Sequence, residues 1–142
     1  MNKRLMRLRT TKHLRDLCAE TEFNRAQLIQ PLFVVEGLGD DEEIPGLKGT
    51  RRQSIESMVR QVESDLSAGV THFLLFPSPA GKREAGFDHA FTQEAIRALR
   101  QRFGTDLCLW IDTCLCSSTT HGHCAVHLEG GAGRIDLEAT LE

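Results

Sequence analysis

Apolar and polar positions follow two rhythms along this chain. Leu28-Ile29-Gln30-Pro31-Leu32-Phe33-Val34-Val35-Glu36 contains a near-continuous apolar run from Leu32 to Val35. Such a run predicts a strand buried on both faces, the habit of parallel sheets. Pro31 sits near the strand's start, where a missing ladder donor is tolerated. Gly37 to Arg52 reads as a loop, with Gly39, Pro45, Gly46 and Gly49 as turn residues. The pattern then changes to helical spacing. Ile55, Met58, Val59, Val62 and Leu66 form one stripe, Ser54 is the cap, and the helix runs to about Ala68 with Gly69 as its stop. Val70 to Phe76 predicts a second strand, ended by Pro77 and Pro79. A Gly- and charge-rich loop over 78–90 leads to a second helix from Phe91 to Phe103, with Phe91, Ala95, Ile96, Leu99 and Phe103 inward and Gly104 at its end. Leu107 to Ile111 is the third strand. At the amino end, Thr11 caps a short helix through Glu20, with Leu14, Leu17 and Cys18 on one side. Towards the carboxyl end, Gly130, Gly131 and Gly133 make a flexible stretch, and Asp136 to Glu142 begins another helix.

Strand, helix, strand, helix, strand is the order of an α/β protein with parallel strands and right-handed crossovers. Periodicity alone fits either a small doubly wound sheet or the start of a (β/α)8 barrel. The length, 142 residues, is that of one ordinary domain or part of a larger one. With 40% hydrophobic and 26% charged residues and a formal net charge of −3, the composition is globular and gives no sign of a nucleic-acid partner. No apolar run reaches membrane-spanning length. The stretch from Met1 to Arg15 carries Lys3, Arg4, Arg7, Arg9, Lys12 and Arg15 and no acid. Without interleaved aromatics it reads as a solvated or subunit-contacting arm. It also lacks the apolar core and cleavage site of a secretory signal. With an odd cysteine count, that makes a reducing cytoplasm the expected location. The acids Asp40 to Glu43 read as a solvated loop, because adjacent acids do not define an oxygen cage. His72 reads as a core or edge histidine.

Candidate chemistry gathers after the third strand, in Ile111-Asp112-Thr113-Cys114-Leu115-Cys116-Ser117-Ser118-Thr119-Thr120-His121-Gly122-His123-Cys124. If the backbone stays extended, Asp112, Cys114 and Cys116 share one face. The small and hydroxylic residues that follow, with Gly122 as pivot, allow Cys124 to return to the same point. Three thiolates suit a soft, tetrahedral ion, usually zinc, and three protein ligands leave the open position of a catalytic site. Packing is the competing reading for any buried cysteine, and it fits Cys18 and Cys108. A disulfide between residues two apart is poorly placed. Either His121 or His123 as a fourth ligand would close the site and make it structural.

These residues resemble the zinc loop of the δ-aminolevulinic acid dehydratase (porphobilinogen synthase) family. The family writes an aspartate, a Cys-x-Cys pair and then Ser-His-Gly-His-Cys-Gly. Here the chain has Asp112, Cys114 and Cys116, then Thr120-His121-Gly122-His123-Cys124-Ala125. Pro31-Leu32-Phe33-Val34 and the acidic loop after it resemble the family's first strand, and Arg7-Leu8-Arg9 its amino-terminal arm. The resemblance covers essentially the whole chain but only part of the family's length. It implies a TIM barrel of which this chain holds the arm and short helix (1–26) and about the first three β/α units with the zinc loop (27–142). It implies condensation of two 5-aminolevulinate molecules to porphobilinogen in heme biosynthesis, in a homo-oligomer assembled through the arms. By position, Cys114, Cys116 and Cys124 would be zinc ligands, Asp112 the active-site carboxylate, and His123 a residue behind the ligands. The family's two Schiff-base lysines belong to later strands. Lys3, Lys12, Lys48 and Lys82 all fall in the arm or early loops. Ser118 replaces a usual Tyr, Ala125 a usual Gly, and Gly86-Phe87-Asp88-His89-Ala90 departs from Gly-Ser-x-Ala. The alternative function is a standalone zinc- or thiol-binding module without catalysis, and a redox thiol pair at Cys114 and Cys116 is a weaker third.

Overall fold

A computed structural model describes residues 6–128 and 133–141. Lys3, Arg4, Gly130, Gly131 and Glu142, named above, lie outside the described residues. Helix α1 (Lys12–Leu17) is followed by β1 (Ile29–Val35), β2 (Glu42–Glu43), β3 (Arg51–Gln53), α2 (Ile55–Ser67), β4 (His72–Ser78), α3 (Ala90–Phe103) and β5 (Cys108–Ile111). A short hairpin of β6 (Val126–His127) and β7 (Ile135–Asp136) leads into α4 (Leu137–Leu141). The main sheet has the order β2-β3-β1-β4-β5, in which β3, β1, β4 and β5 are parallel and β2 runs antiparallel to β3.

The expected strand–helix alternation is present. Ser54 caps α2 by accepting the Ser57 N–H at 3.2 Å, which satisfies one donor that the first turn leaves free. The α2 stripe presents Met58 and Val62, and α3 presents Phe91, Ala95 and Leu99, to one face of the sheet. They meet Leu32 and Val34 of β1 and Phe73 and Leu75 of β4 in one buried core. Each fully buried large side chain there contributes roughly 1.5–3 kcal/mol. At its end α3 is tied to β5 by Arg100, whose Nη1 donates to the carbonyls of Gly104 and Leu107 at 2.9 and 3.2 Å.

Burial on both faces of the first strand is not observed. Alternate residues of β1 and β4 are fully buried and only partly buried, because the helices cover one face alone. The other face carries Phe33 and Phe76, stacked with ring centroids 4.8 Å apart, and Trp110, 53% exposed. The loop over 37–52 also needs correction. Arg51–Gln53 pairs parallel with β1, and Glu42–Glu43 folds back on it, with the Arg52 guanidinium 3.6 Å from the Glu42 carboxylate. Two- and three-residue strands carry no periodicity to read. The first helix stops at Leu17 rather than Glu20, and of its apolar side Leu14 is partly buried whereas Leu17 is 80% exposed. Cys18 and Cys108 are exposed as well, against the packing reading. Cys108 belongs to the open face of β5, an outer strand of the sheet.

Candidate metal centre

β5 delivers the site. Its ladder with β4 extends one residue further, where the Asp112 N–H donates to the Leu75 carbonyl at 2.9 Å. Alternation past Cys108 and Trp110 sets Asp112 on the face opposite the helices. There it lines a concavity of about 240 Å³ with Phe33, Phe76 and Cys116. A second hollow of about 360 Å³ lies between Asp112, Cys114, His89 and Thr140. Both open at the carboxyl ends of the parallel strands, where α/β proteins concentrate their chemistry.

The extended backbone expected through Cys116 is not present. The strand ends at Ile111, Cys114 stands at the start of a 3-10 turn (Leu115–Ser117), and that turn brings Cys116 round. A straight strand would carry Cys116 away from the sheet, and the turn keeps it over the strand ends. Gly122, at φ +73°, reverses the chain, a conformation costly for residues with a Cβ. Cys124 thereby returns with its Sγ 3.0 Å from that of Cys114. The sulfurs of Cys114, Cys116 and Cys124 all lie within 4.8 Å of one another, and among the described residues they are the one such group able to hold a metal ion.

The thiols share protons. Cys114 is pulled below the ordinary thiol range, first by the Cys124 S–H it accepts and then by the backbone N–H of Cys116. Cys124, as the donor to that thiolate, is pushed up to about 11. Cys116 is raised by its contact with Cys114 and by burial, and the Asp112 charge raises both Cys114 and Cys116. Ligation needs thiolates, so binding a cation here releases protons. At neutral pH and without metal, iodoacetamide should therefore alkylate Cys114 well before Cys124. The lowered group is ionised first and the raised one stays protonated until far above neutrality. Peptide mapping against time checks this, and equal rates at the two sulfurs would refute the shared proton.

His121 and His123 do not join the sulfurs. Their rings meet His127, a residue the sequence reading passed over. His121 and His127 stack with centroids 4.4 Å apart and an interplanar angle of 6°, and His123 lies 5.3 and 5.5 Å from them. The His123 N–H donates to Nδ1 of His121 at 3.2 Å. Sequence signals for Thr119 and Arg83 were also missed. Thr119 is fully buried, and the Arg83 backbone pairs with the cysteine-bearing loop through Ser118 and Thr120. Lys48 and Lys82 are exposed, as expected.

Comparison with known proteins agrees with this architecture. Residues 2–142 match the family model described as delta-aminolevulinic acid dehydratase. A delta-aminolevulinic acid dehydratase of Halalkalibacterium halodurans is 37% identical over 132 residues, covering 90% of this chain and 40% of that protein. Another from Ruminiclostridium josui is 38% identical over 145 residues, covering 99% of this chain and 69% of that protein. The crystal structure of the Toxoplasma gondii ME49 enzyme, in complex with its reaction product porphobilinogen, superposes with a TM-score of 0.84 at 28% identity, over 99% of this chain and 41% of that one. The chain thus spans about two fifths of the halodurans and Toxoplasma proteins, the part holding the first β/α units of a TIM barrel. With its parallel strands, its cysteine cluster at their carboxyl ends and a family match over nearly its whole length, this chain belongs to the delta-aminolevulinic acid dehydratase family.

Proposed function

We propose that the chain is the amino-terminal part of a porphobilinogen synthase, a hydro-lyase that condenses two 5-aminolevulinate molecules to porphobilinogen in heme biosynthesis. Residues 1–26 serve as an arm contacting neighbouring subunits of a cytoplasmic homo-oligomer, and 27–142 begin a single barrel domain. The observation that carries this reading is the convergence of Cys114, Cys116 and Cys124 within 4.8 Å, beside Asp112 at the strand ends. The donor set fits zinc: three soft sulfurs, one already inclined to ionise, with no protein ligand from the histidines. Bound there, zinc supplies Lewis-acid polarisation of a substrate group at its open position.

The chain's own residues supply orientation. Asp112 presents a carboxylate to the ammonium of a 5-aminolevulinate lying in the concavity, whose aromatic wall of Phe33 and Phe76 excludes water from one side. His123 holds the returning limb of the loop through its backbone, behind the ligands. A metal-binding thiol module without turnover is the second reading, favoured by the exposure of Lys48 and Lys82.

The test uses cobalt(II) as a spectroscopic stand-in for zinc. Adding 5-aminolevulinate to the cobalt-loaded chain should change its visible spectrum, with a Kd on the order of millimolar. Asp112→Ala should weaken that response about tenfold, because the charge-assisted bond to the amine is lost. A spectrum indifferent to 5-aminolevulinate would remove the substrate from this site.

A further inference from the structure

We propose that Thr119 is the positioning residue of the three-thiol site: its buried hydroxyl clamps the limb bearing Cys124 against the limb bearing Cys114 and Cys116. The inference rests on the metal-site reading above and goes beyond it by naming what preorganises the ligands. Thr119 is fully buried and, with Gln53, one of two buried polar residues among those described. Its Oγ1 donates to the His123 carbonyl at 2.8 Å, one residue before Cys124. Its N–H donates to the Leu115 carbonyl at 2.9 Å, between the other two cysteines. One residue therefore touches both limbs. Its surroundings are anchored in turn, because the Arg83 N–H donates to the Ser118 carbonyl at 2.9 Å and the Thr120 N–H to the Arg83 carbonyl at 3.2 Å.

Towards Cys124 the segment that Thr119 controls has few other anchors among the described residues. Thr120, His121, Gly122, His123 and Cys124 are all exposed, so packing does not fix where Cys124 points. Apart from the Thr120 N–H on the Arg83 carbonyl at the segment's start and the stack of His121 on His127, its other backbone bonds are local or weak: the Gly122 N–H reaches the Thr119 carbonyl at 3.4 Å, and the His123 N–H bonds His121 within the segment itself. A buried hydroxyl bond in low dielectric is well suited to fix such a segment. Without it, the Cys124 sulfur samples positions away from Cys114, and each metal-binding event must first order the loop.

The experiment compares Thr119→Val, which keeps the shape and loses the donor, with Thr119→Ser, which keeps the donor. Far-UV circular dichroism and hydrogen exchange of the core helices check that the fold persists. The first readout is zinc and cobalt(II) affinity. Thr119→Val should weaken binding about 10–100-fold, the usual effect of removing a residue that orients ligands, and Thr119→Ser should stay close to the parent chain. The second readout needs no metal. In glutathione buffer, oxidised glutathione takes two electrons from the Cys114 and Cys124 thiols, forming their disulfide and two molecules of reduced glutathione. Peptide mapping locates that bond. Thr119→Val should lower its equilibrium constant about tenfold by lowering the effective concentration of one thiol at the other.

If Thr119→Val matches the parent chain in the glutathione readout, the clamp is overturned. If Thr119→Ser is as damaged as Thr119→Val, packing of the methyl group is responsible and the clamp is again overturned. If the parent chain binds no metal through its thiols while Thr119→Val still weakens the disulfide, the metal reading fails and the clamp stands.

Discussion

The polypeptide of these 142 residues, supplied with zinc, reductant and 5-aminolevulinate, is expected to form no detectable porphobilinogen. Joining two carbonyl substrates in the way the family does requires amines at two defined positions. Lys12, Lys48 and Lys82 are exposed, in α1 or in loops, and none of them lines the concavity beside Asp112. The concavity beside Asp112 is walled by β1, β4 and the turn bearing Cys116, and β5 is the last strand of the sheet among the described residues. Under the proposed function one 5-aminolevulinate would lie there, and none of the described lysines stands beside it to orient a second. Orientation of two reactants alone can account for roughly 7–11 kcal/mol of a barrier. Turnover should appear when the carboxyl-terminal portion of a family member is supplied, fused or in trans, and should then fall by about two to four orders of magnitude on Asp112→Ala or Cys124→Ser. A colorimetric porphobilinogen assay with borohydride trapping measures this. Robust product from the 142 residues alone, or a trapped adduct on Lys48 or Lys82, would put the chemistry elsewhere.

The folded chain should take up about one zinc ion, and replacing Cys114, Cys116 and Cys124 with Ser should abolish the uptake. Three sulfurs within 4.8 Å bring together the soft donors that zinc prefers, and Ser offers a harder and far less acidic oxygen in each place. Cys18→Ser and Cys108→Ser should leave the stoichiometry unchanged, because both thiols are exposed and stand apart from the cluster. Excess magnesium should not compete, since it seeks oxygen ligands. Uptake should weaken as pH falls. Protons compete for all three sulfurs, first for Cys124, whose pKa is about 11, and last for Cys114, whose pKa is lowered. Equilibrium dialysis with elemental analysis reads all of this directly. An unaltered zinc content in the triple variant would defeat the assignment.

Part of this organisation was legible before any coordinates. The α2 stripe from Ile55 to Leu66 and the α3 stripe from Phe91 to Phe103 both face the core, because helical spacing states which side is apolar. The apolar runs at Leu32–Val35 and Phe73–Leu75 became adjacent parallel strands. The short pieces were not legible. Arg51–Gln53 is charged and joins the sheet only because β1 offers it an edge. The β6–β7 hairpin is two residues a side and has no pattern of its own. Cys108 was misread as core because apolar neighbours in sequence do not reveal which face of an outer strand is left uncovered.

By itself the sequence determined the ingredients and their neighbourhood. Local rules of spacing and capping established an alternating α/β chain, and the residues of Asp112 to Cys124 established a thiol-rich loop after its third long strand. Tertiary structure alone decided how those thiols meet. The strand stops at Ile111, the 3-10 turn swings Cys116 back, Gly122 reverses the chain, and Thr119 ties the returning limb down. It also decided which proton goes where, since a 3.0 Å contact between Cys114 and Cys124 drives their acidities apart. The physical reason is one of range: periodicity and capping act over a few residues, whereas the meeting of Cys114 with Cys124 depends on hydrogen bonds between segments that no repeat in the sequence encodes.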